Sequence, residues 1–155
     1  MVKRENENQR KSRVKIKIET PFIFKTRLSV RITDLNYGNH LANDRILSYV
    51  HEARVAFLSH MGYSEIDISG VGIIMSDAVI QFKNQGFYAD NISISLAISN
   101  WQRKSVDMLY EIKNIKSEKI LALVKTGIVF FNYDIQKPVA VPEEFKQKIE
   151  DMLEI

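Results

Sequence analysis

The sequence predicts an α+β domain in which a curved antiparallel sheet wraps around one long central helix. Several segments of the chain alternate apolar and polar side chains with the period of two that is typical of strands. Short turns separate these segments, and this spacing favours antiparallel pairing. Residues 43–61 instead show the helical period, and their apolar arc spans more than half of the circumference. Other structure must therefore cover this helix on most of its sides.

The predicted elements follow one another as strand, helix, four strands and a final helix. Residues 24–32 alternate and form the first predicted strand. The long helix is expected to begin with Asn43 as its N-cap and to stop at Gly62. A nearly continuous apolar run at 71–82 predicts a strand that is buried on both faces. The further predicted strands are 91–99, 105–112 and 119–133, and Pro142 marks the first turn of a helix in 141–155.

The composition is that of one globular domain. Hydrophobic residues make up 45% of the 155 residues, which is enough for a core, and no segment has the roughly 18 consecutive apolar residues of a membrane span. The chain has no cysteine, which excludes a disulfide framework and a thiolate metal site. Because the N-terminus is charged and lacks the apolar core of a secretion signal, we expect a cytoplasmic protein.

The positive charge is concentrated at the N-terminus. Residues 1–17 contain seven basic and two acidic side chains, whereas the whole chain has a net charge of +3. The remainder is therefore slightly acidic, unlike a folded nucleic-acid-binding domain with its own basic face. We expect residues 1–17 to form a mobile basic tail, residues 18–155 to form a single domain, and nucleic acid not to be a partner.

A polar loop stands directly before the predicted long helix. Residues 34–44 read DLNYGNHLAND, with three asparagines, two aspartates and a histidine. A helix start needs only one capping side chain. The surplus of hydrogen-bonding groups makes this loop the candidate functional region.

Four stretches of the chain resemble one family. They are RITDLNYGNHLAND (31–44), HEARVAFL (51–58), SDAVIQFKNQGFYAD (76–90) and KTGIVFFNYD (125–134). With this order of elements, the chain resembles the hotdog-fold acyl-CoA thioesterases of the 4-hydroxybenzoyl-CoA thioesterase type, from about residue 25 to residue 133. The resemblance implies a hotdog fold and an acyl-CoA thioester as substrate. It also implies a homodimer, or a tetramer of two such dimers, whose sheets join edge to edge, with the polar loop facing the partner subunit in a shared active site.

The loop departs from the family pattern at one position. That pattern is commonly Asp-x-Asp followed by Gly-His-x-x-Asn, and Asp34, His40 and Asn43 match it, with Asn39 in place of the glycine. The second aspartate, which is the catalytic carboxylate of the 4-hydroxybenzoyl-CoA type, is replaced by Asn36. An amide is neither a nucleophile nor a general base at neutral pH. Either another carboxylate acts, or hydrolysis is weak, or the protein has a different function.

Two carboxylates are candidates for that role. Asp34 can activate water as a general base if its pKa is raised; alternatively, it stabilises a turn. Glu52 lies on the polar stripe of the predicted helix, where other hotdog thioesterases carry a catalytic carboxylate; alternatively, it forms an ion pair with Arg45. His40 and Asn36 are expected to polarise the thioester carbonyl, or else to hold the loop.

Further residues are candidates for substrate binding. The backbone N–H groups of Gly38 and Asn39 near the helix start can form an oxyanion hole, or simply a tight turn. Asn43 can line the site as well as cap the helix. By the resemblance, a basic residue and a serine in QRKS (102–105) meet the phosphates of coenzyme A, which points to Arg103, Lys104 and Ser105, unless this stretch is only a solvated turn.

Arg54 lies within the apolar arc of the helix, so we expect a buried ion pair with Asp34 or Asp77. The histidines show no metal-ligand spacing, and no metal is expected.

The resemblance implies an acyl-CoA thioesterase in which water attacks the thioester carbonyl. The thioester is already activated, so no cofactor is needed. Two alternatives stay open: a hydratase or dehydratase of acyl thioesters, and a non-catalytic acyl-thioester-binding protein. The acyl group, and the choice between coenzyme A and an acyl carrier protein, are also open.

Overall fold

The computed structural model describes residues 14–154. Within this range the chain forms a six-stranded antiparallel sheet and two helices. A 3₁₀ turn at Ile32–Asp34 precedes the long helix. The elements are β1 (Phe24–Ser29), α1 (Arg45–His60), β2 (Gly72–Phe82), β3 (Asn91–Ser99), β4 (Ser105–Asn114), β5 (Ile120–Asn132), β6 (Lys137–Pro138) and α2 (Glu143–Leu153). The predicted order of strand, helix, four strands and helix is confirmed, and only the two-residue β6 was not predicted.

The order of the strands sets the two edges of the sheet. The strands lie in the order β1-β3-β4-β5-β2, and β6 pairs with β5. Every pairing is antiparallel. A bulge interrupts the register of β2 between Met75 and Asp77. Strands β1 and β2 are therefore the outermost strands of this path, each with one neighbour.

The core lies between α1 and one face of the sheet. Alternation along β3 directs Ile92, Ile94 and Leu96 to this face, where each is 0% exposed. Burying side chains of this size stabilises the fold by about 1.5–3 kcal/mol each. Helix α1 contributes its buried residues Ile46, Tyr49, Val50, Ala53, Phe57 and Leu58. The predicted arrangement, a curved sheet around one central helix, is confirmed.

Helix α1 begins differently from the prediction. Asp44, not Asn43, is the N-cap residue, and its side chain makes no capping hydrogen bond. Backbone groups begin the helix instead, because Arg45 N–H donates to the carbonyl of Ala42 at 3.0 Å. At the other end Gly62 has a φ of +84°, which glycine adopts at little cost, so the predicted stop is confirmed.

Strand β2 is not buried on both faces, contrary to the prediction. Ile74 and Met75 are 37% and 46% exposed. The reason is topological, because β2 pairs only with β5 and lies at an edge. A continuous apolar run is typical of a buried strand, but the sequence does not say which partner buries it.

The first strand ends earlier than predicted, at Ser29. After it, Val30 hydrogen-bonds to the loop before β3: its N–H donates to the Asp90 carbonyl, and its carbonyl accepts from Ala89 N–H, both at 2.9 Å. The chain then turns into the 3₁₀ turn. These bonds place the polar loop that follows at the end of the sheet where β3 begins.

The structure describes only the last four residues of the predicted mobile tail at 1–17. Residues 1–13 lie outside the described residues. Residues 14–17 are attached to the sheet, because Ile16 N–H donates to Gln81 Oε1 at 2.7 Å and Gln81 Nε2 donates to the Val14 carbonyl at 2.8 Å. These two hydrogen bonds connect residues 14–16 to β2.

Within residues 14–154, neither helix is long and apolar enough to cross a membrane.

Candidate active site

Asn36 closes a tight loop at residues 35–41. Its Oδ1 accepts hydrogen bonds from Gly38 N–H at 2.8 Å and from His40 N–H at 3.2 Å. Its own backbone N–H donates to the His40 carbonyl at 2.9 Å. Asn39 has a φ of +62°, a conformation that asparagine tolerates better than most residues other than glycine. This explains why asparagine can stand where the family usually has glycine.

The predicted oxyanion hole of Gly38 and Asn39 is not formed. Gly38 N–H is bonded to Asn36 Oδ1, and Asn39 N–H donates to the Asn36 carbonyl at 3.1 Å. Both amides are thus used inside the loop. The side-chain Nδ2 of Asn36 has no hydrogen-bond partner among the described residues, so its two N–H groups can donate to a ligand.

Asp34 anchors the loop to the helix. It is 3% exposed, and its Oδ2 accepts from the Tyr49 hydroxyl at 2.7 Å, from Arg31 N–H at 3.0 Å and from Arg31 Nε at 3.4 Å. Burial raises the pKa of Asp34, but the hydrogen bonds from Tyr49 and Arg31 outweigh it, so the pKa is lowered overall. A general base here needs a raised pKa. Because Asp34 already accepts these three hydrogen bonds, the geometry favours the alternative of an anchoring carboxylate.

His40 carries the buried polar atom of the loop that the described residues leave unsatisfied. The ring is half-buried, and its Nδ1 is buried with no hydrogen-bond partner within residues 14–154. One edge packs against Phe87, with ring centroids 5.1 Å apart. Leaving such a nitrogen without a partner costs about 1–3 kcal/mol. A ligand that supplies the missing hydrogen bond would recover this free energy.

A cleft of about 260 Å³ opens beside His40. We call it the His40 cleft. It combines polar groups of the loop with apolar side chains from α1, β2 and β5. Its lining residues are Asn36, His40, Leu41, Asn43, Ile46, Phe82, Lys83, Asn84, Gln85, Gly86 and Leu121. Of the predicted site residues, the structure brings Asn36, His40 and Asn43 together here.

Gly86 allows the wall of this cleft to form. Its carbonyl accepts Leu41 N–H at 2.8 Å, which ties the loop before β3 to the polar loop. A Cβ added at Gly86 would lie 3.1 Å from Leu41 Cβ, tighter than ordinary contact. Only glycine permits the two loops to approach so closely.

Glu52 faces a different cleft of the same chain. This second cleft, of about 340 Å³, is lined by Leu28, Ser29, Arg31, Ser48, Tyr49 and Glu52, none of which lines the His40 cleft. Glu52 is exposed, and no cation within the described residues lies at salt-bridge distance from it. The alternative of an ion pair with Arg45 is therefore wrong, and one protomer does not bring Glu52 to His40.

The predicted phosphate-binding residues lie at the opposite end of the sheet. The polar loop is bonded to the residues before β3, whereas Arg103 and Lys104 follow the end of β3 and Ser105 begins β4. The nine residues of β3 separate the two regions by about 30 Å. Arg103 instead lines a cleft with Trp101 and Lys146. The three residues do not join the His40 cleft of their own chain.

Two lysines that sequence reasoning missed do adjoin the His40 cleft. Lys83 lies in its wall, and Lys119 lines a neighbouring cleft of about 520 Å³ that shares Lys83, Asn84, Gln85 and Leu121 with it. Lys83 directly follows the strand predicted at 71–82, and Lys119 begins the strand predicted at 119–133. The sequence alone does not show which turns lie at the same end of the sheet, so it could not place these two lysines beside the polar loop.

The HEAR stretch has a structural role in the chain. Arg54 is 7% exposed, and its Nε donates to Glu65 Oε2 at 2.9 Å, not to Asp34 or Asp77. The other oxygen of Glu65 lies 2.6 Å from His51 Nε2. Residues 51 and 54 are one helical turn apart, so both reach the connector after α1. Arg54 is buried and forms an ion pair, as predicted, but its partner is Glu65 and not Asp34 or Asp77.

Asp77 contacts Lys125 and Gly127 N–H instead. Within residues 14–154, no three histidine, aspartate or glutamate side chains are grouped to hold a metal ion.

The sequence was also compared with known families and structures. The model of a family described as the thioesterase-like superfamily matches residues 30–149. The chain belongs to the thioesterase-like superfamily. This confirms the family that the motifs predicted, and it supports thioester hydrolysis as the activity.

Solved structures of this superfamily share the fold. A 1,4-dihydroxy-2-naphthoyl-CoA thioesterase from Synechocystis is 22% identical with a TM-score of 0.75, over 83% of this chain and 96% of that one. A DHNA-CoA thioesterase from Staphylococcus aureus is 19% identical with a TM-score of 0.70, over 81% and 85%. A gentisyl-coenzyme A thioesterase is 20% identical with a TM-score of 0.70, over 79% and 99%. These similarities confirm the hotdog fold of this thioesterase-like chain.

Proposed function

We propose that the protein is an acyl-CoA thioesterase that hydrolyses its substrate to a free acid and coenzyme A. The observation that carries the proposal is the His40 cleft. Its polar side offers the unsatisfied His40 imidazole and the free Asn36 amide, and its apolar side includes Ile46, Phe82 and Leu121. A thioester needs both: donors for its carbonyl oxygen and an apolar surface for its acyl group.

The reaction needs no group beyond the protein and water. The water oxygen attacks the carbonyl carbon while a base takes a proton, and negative charge develops on the carbonyl oxygen. His40 and Asn36 Nδ2 donate hydrogen bonds to that oxygen. The tetrahedral intermediate then collapses, the C–S bond breaks, and the sulfur leaves as the thiol after taking up the proton. Removing one such donor typically lowers kcat about 10²–10³-fold.

Glu52 is the proposed base, and it comes from a second copy of the chain. Asp34 is occupied as an acceptor and has a lowered pKa, whereas Glu52 is exposed and has no cationic partner among the described residues. Since Glu52 and His40 face different clefts of one protomer, a site that uses both needs two protomers.

The free edge of β2 is the proposed dimer interface. It is an eleven-residue strand that, within residues 14–154, pairs only with β5, and Ile74, Met75 and Phe82 are 37%, 46% and 51% exposed. A long apolar edge strand invites pairing with another chain unless something covers it. Because Phe82 also lines the His40 cleft, edge-to-edge pairing would bring the partner beside that cleft. The absence of cysteine fits a reducing compartment, and we propose a cytoplasmic location.

The test is release of free thiol from short, medium, long and aromatic acyl-CoAs, read with a thiol-reactive dye. We expect turnover of at least one class by the wild type and its loss in Glu52→Gln, with Glu150→Gln, an exposed site on α2, as the matched control. Loss of enoyl absorbance without thiol would indicate a hydratase. Ligand-dependent thermal stabilisation without turnover would indicate a binding protein, and turnover gained only in Asn36→Asp would mean that the chemistry has been lost.

Subunit mixing tests the shared site. An inactive His40→Ala protein and an inactive Glu52→Gln protein are mixed and allowed to exchange protomers. Half of the dimers then contain one intact site, so about a quarter of the wild-type activity should return. If no activity returns although exchange is verified, the two residues act within one protomer or not together.

A further inference from the structure

Residues 14–22 precede β1 and belong to no helix or strand. We call this segment the strap, and it is held at both ends. At its start, the side chain of Gln81 in β2 binds the strap backbone twice: Oε1 accepts Ile16 N–H at 2.7 Å, and Nε2 donates to the Val14 carbonyl at 2.8 Å. At its end, the N–H of the next residue, Ile23, donates to a carbonyl of β3 at 2.8 Å. The strap therefore joins two distant strands of the sheet.

The strap crosses one face of the sheet. Its ends lie at β2 and β1, the outermost strands of the order β1-β3-β4-β5-β2. These two strands are four strand spacings apart, which is about 19 Å. An extended chain from Ile16 to Ile23 reaches about 23 Å, so its length suits a direct crossing. Because α1 packs on one face, the strap crosses the other, which we call the outer face.

The middle of the outer face is buried, although α1 lies on the opposite side of the sheet. Alternation along β3 places Ser93, Ser95 and Ala97 on the outer face, and they are 4%, 6% and 0% exposed. On β4, Leu109 is the cross-strand partner of Ala97 and is 7% exposed. Neither Ala97 nor Leu109 belongs to the main hydrophobic core. A separate cover must bury them, and among the described residues the strap is the segment that crosses this face.

The strap has an apolar side and a charged side. Ile16 and Ile18 are half-buried, whereas Lys15, Lys17 and Glu19 are exposed. In an extended segment, alternate side chains point to opposite sides. The isoleucines therefore face the sheet, and the charged side chains face the solvent. This is the pattern of a segment that packs on an apolar surface and presents a polar surface outwards.

We infer that the strap is a built-in cover that keeps a second copy of the chain off the outer face, so that association stops at a dimer joined through the β2 edge. This inference rests on the dimer interface proposed above. Gln81 binds the strap with its side chain and not with its backbone. The strap thus closes the face of the sheet and leaves the strand edge free for a partner.

Without the strap, the outer face would favour a larger assembly. Ala97, Leu109 and Leu123 would then form part of an apolar surface open to solvent, and such surfaces associate. Two sheets that join edge to edge present one continuous outer face, so two dimers would pack face to face and close as a tetramer. The strap also precedes residues 30–149, the part that matches the family model. The cover is therefore an addition outside the matched region.

Sedimentation velocity of the full chain over a range of concentrations tests the inference. We expect the wild type to remain a dimer and Ile16→Ser/Ile18→Ser, which removes the apolar side of the strap, to associate beyond the dimer. The matched control is Lys15→Ser/Lys17→Ser, which changes the exposed side of the same segment and should remain a dimer. A wild type that is already a tetramer, or a folded Ile16→Ser/Ile18→Ser protein that stays a dimer, would overturn the inference.

Thiol labelling tests the cover directly. Because the chain has no cysteine, Leu109→Cys places a single thiol under the strap, and Glu150→Cys places one on the exposed surface of α2. A thiol-reactive dye should label Leu109→Cys at least about 10-fold more slowly than Glu150→Cys. Adding Gln81→Ala, which removes the anchor of the strap, should abolish most of this difference. Equal labelling rates in the two single variants would refute the cover.

Neither measurement depends on catalysis. A wild type without thioesterase activity would therefore contradict the proposed function and leave both readouts intact. A monomeric wild type would contradict the proposed dimer interface, and with it the inference that association stops at a dimer.

Discussion

The loop at residues 35–41 and the connector at residues 62–71 flank the same helix, α1, and both are rich in polar side chains. They differ in how these groups are satisfied. In the connector, Glu65 is bonded on both oxygens, to Arg54 and to His51. In the loop, the buried Nδ1 of His40 has no hydrogen-bond partner in the part of the chain that the structure describes. Satisfied polar groups stabilise a fold, whereas a buried group without a partner costs free energy unless a ligand completes it. From this difference we expect the connector to contribute to stability and the loop to contribute to function.

The largest expected effect on stability tests the connector. Arg54→Met leaves Glu65 without its buried cation, and breaking such a pair costs about 3–5 kcal/mol when both partners are buried. Glu65 is partly exposed, so we expect the free energy of unfolding to fall by about 2–3 kcal/mol in urea titration. Lys125→Met, which breaks the exposed pair with Asp77, is the control and should cost less than about 1 kcal/mol. Equal losses in the two variants would refute the assignment.

A second prediction concerns Asp34, the anchor between loop and helix. Its pKa is lowered in the folded protein, so its contribution to stability is present above the ordinary pKa of 3.8 and is lost as the pH falls through the lowered value. We expect Asp34→Asn to cost about 2 kcal/mol at pH 7 and to reduce the loss of stability of the wild type below about pH 4. Urea titrations from pH 7 to pH 3 measure this. Parallel curves for the two proteins would show that Asp34 does not anchor the loop.

The smallest expected effect on stability concerns Asn39 in the loop. Asn39 has a φ of +62°, so Asn39→Ala should lower the free energy of unfolding by about 1 kcal/mol, whereas Asn39→Gly should be nearly neutral. Urea titration distinguishes the two variants. If alanine is tolerated as well as glycine, the left-handed geometry at this residue does not hold the loop.

Helices and strands were predicted well from the sequence because their apolar periodicity depends only on residues that are neighbours in the chain. The strand at 91–99 was predicted with its observed bounds, since alternation with period two needs no knowledge of its partners. The long helix was predicted within two residues at its start for the same reason. The cluster of polar residues at 34–44 located the loop correctly in front of that helix.

Contacts between distant segments could not be predicted in the same way. Glu65 was overlooked as the partner of Arg54 because only the fold brings the connector back to α1. Strand β2 looked fully buried because its edge position follows from the strand order. Arg103 was expected at the site by the resemblance, because the sequence does not state which turns share an end of the sheet. The amides of Gly38 and Asn39 looked available because their bonds to Asn36 depend on the closed loop.

The most direct test of the comparison measures stability and thiol release together for His40→Ala and Glu65→Gln. We predict that His40→Ala lowers kcat for acyl-CoA by about 10²–10³-fold without lowering its free energy of unfolding, because removal of the unsatisfied Nδ1 offsets the lost contact with Phe87. Glu65→Gln should instead lose about 1–2 kcal/mol of stability and keep its kcat at a temperature where it is folded. A His40→Ala protein that is fully active, or a Glu65→Gln protein that is folded and inactive, would contradict the account.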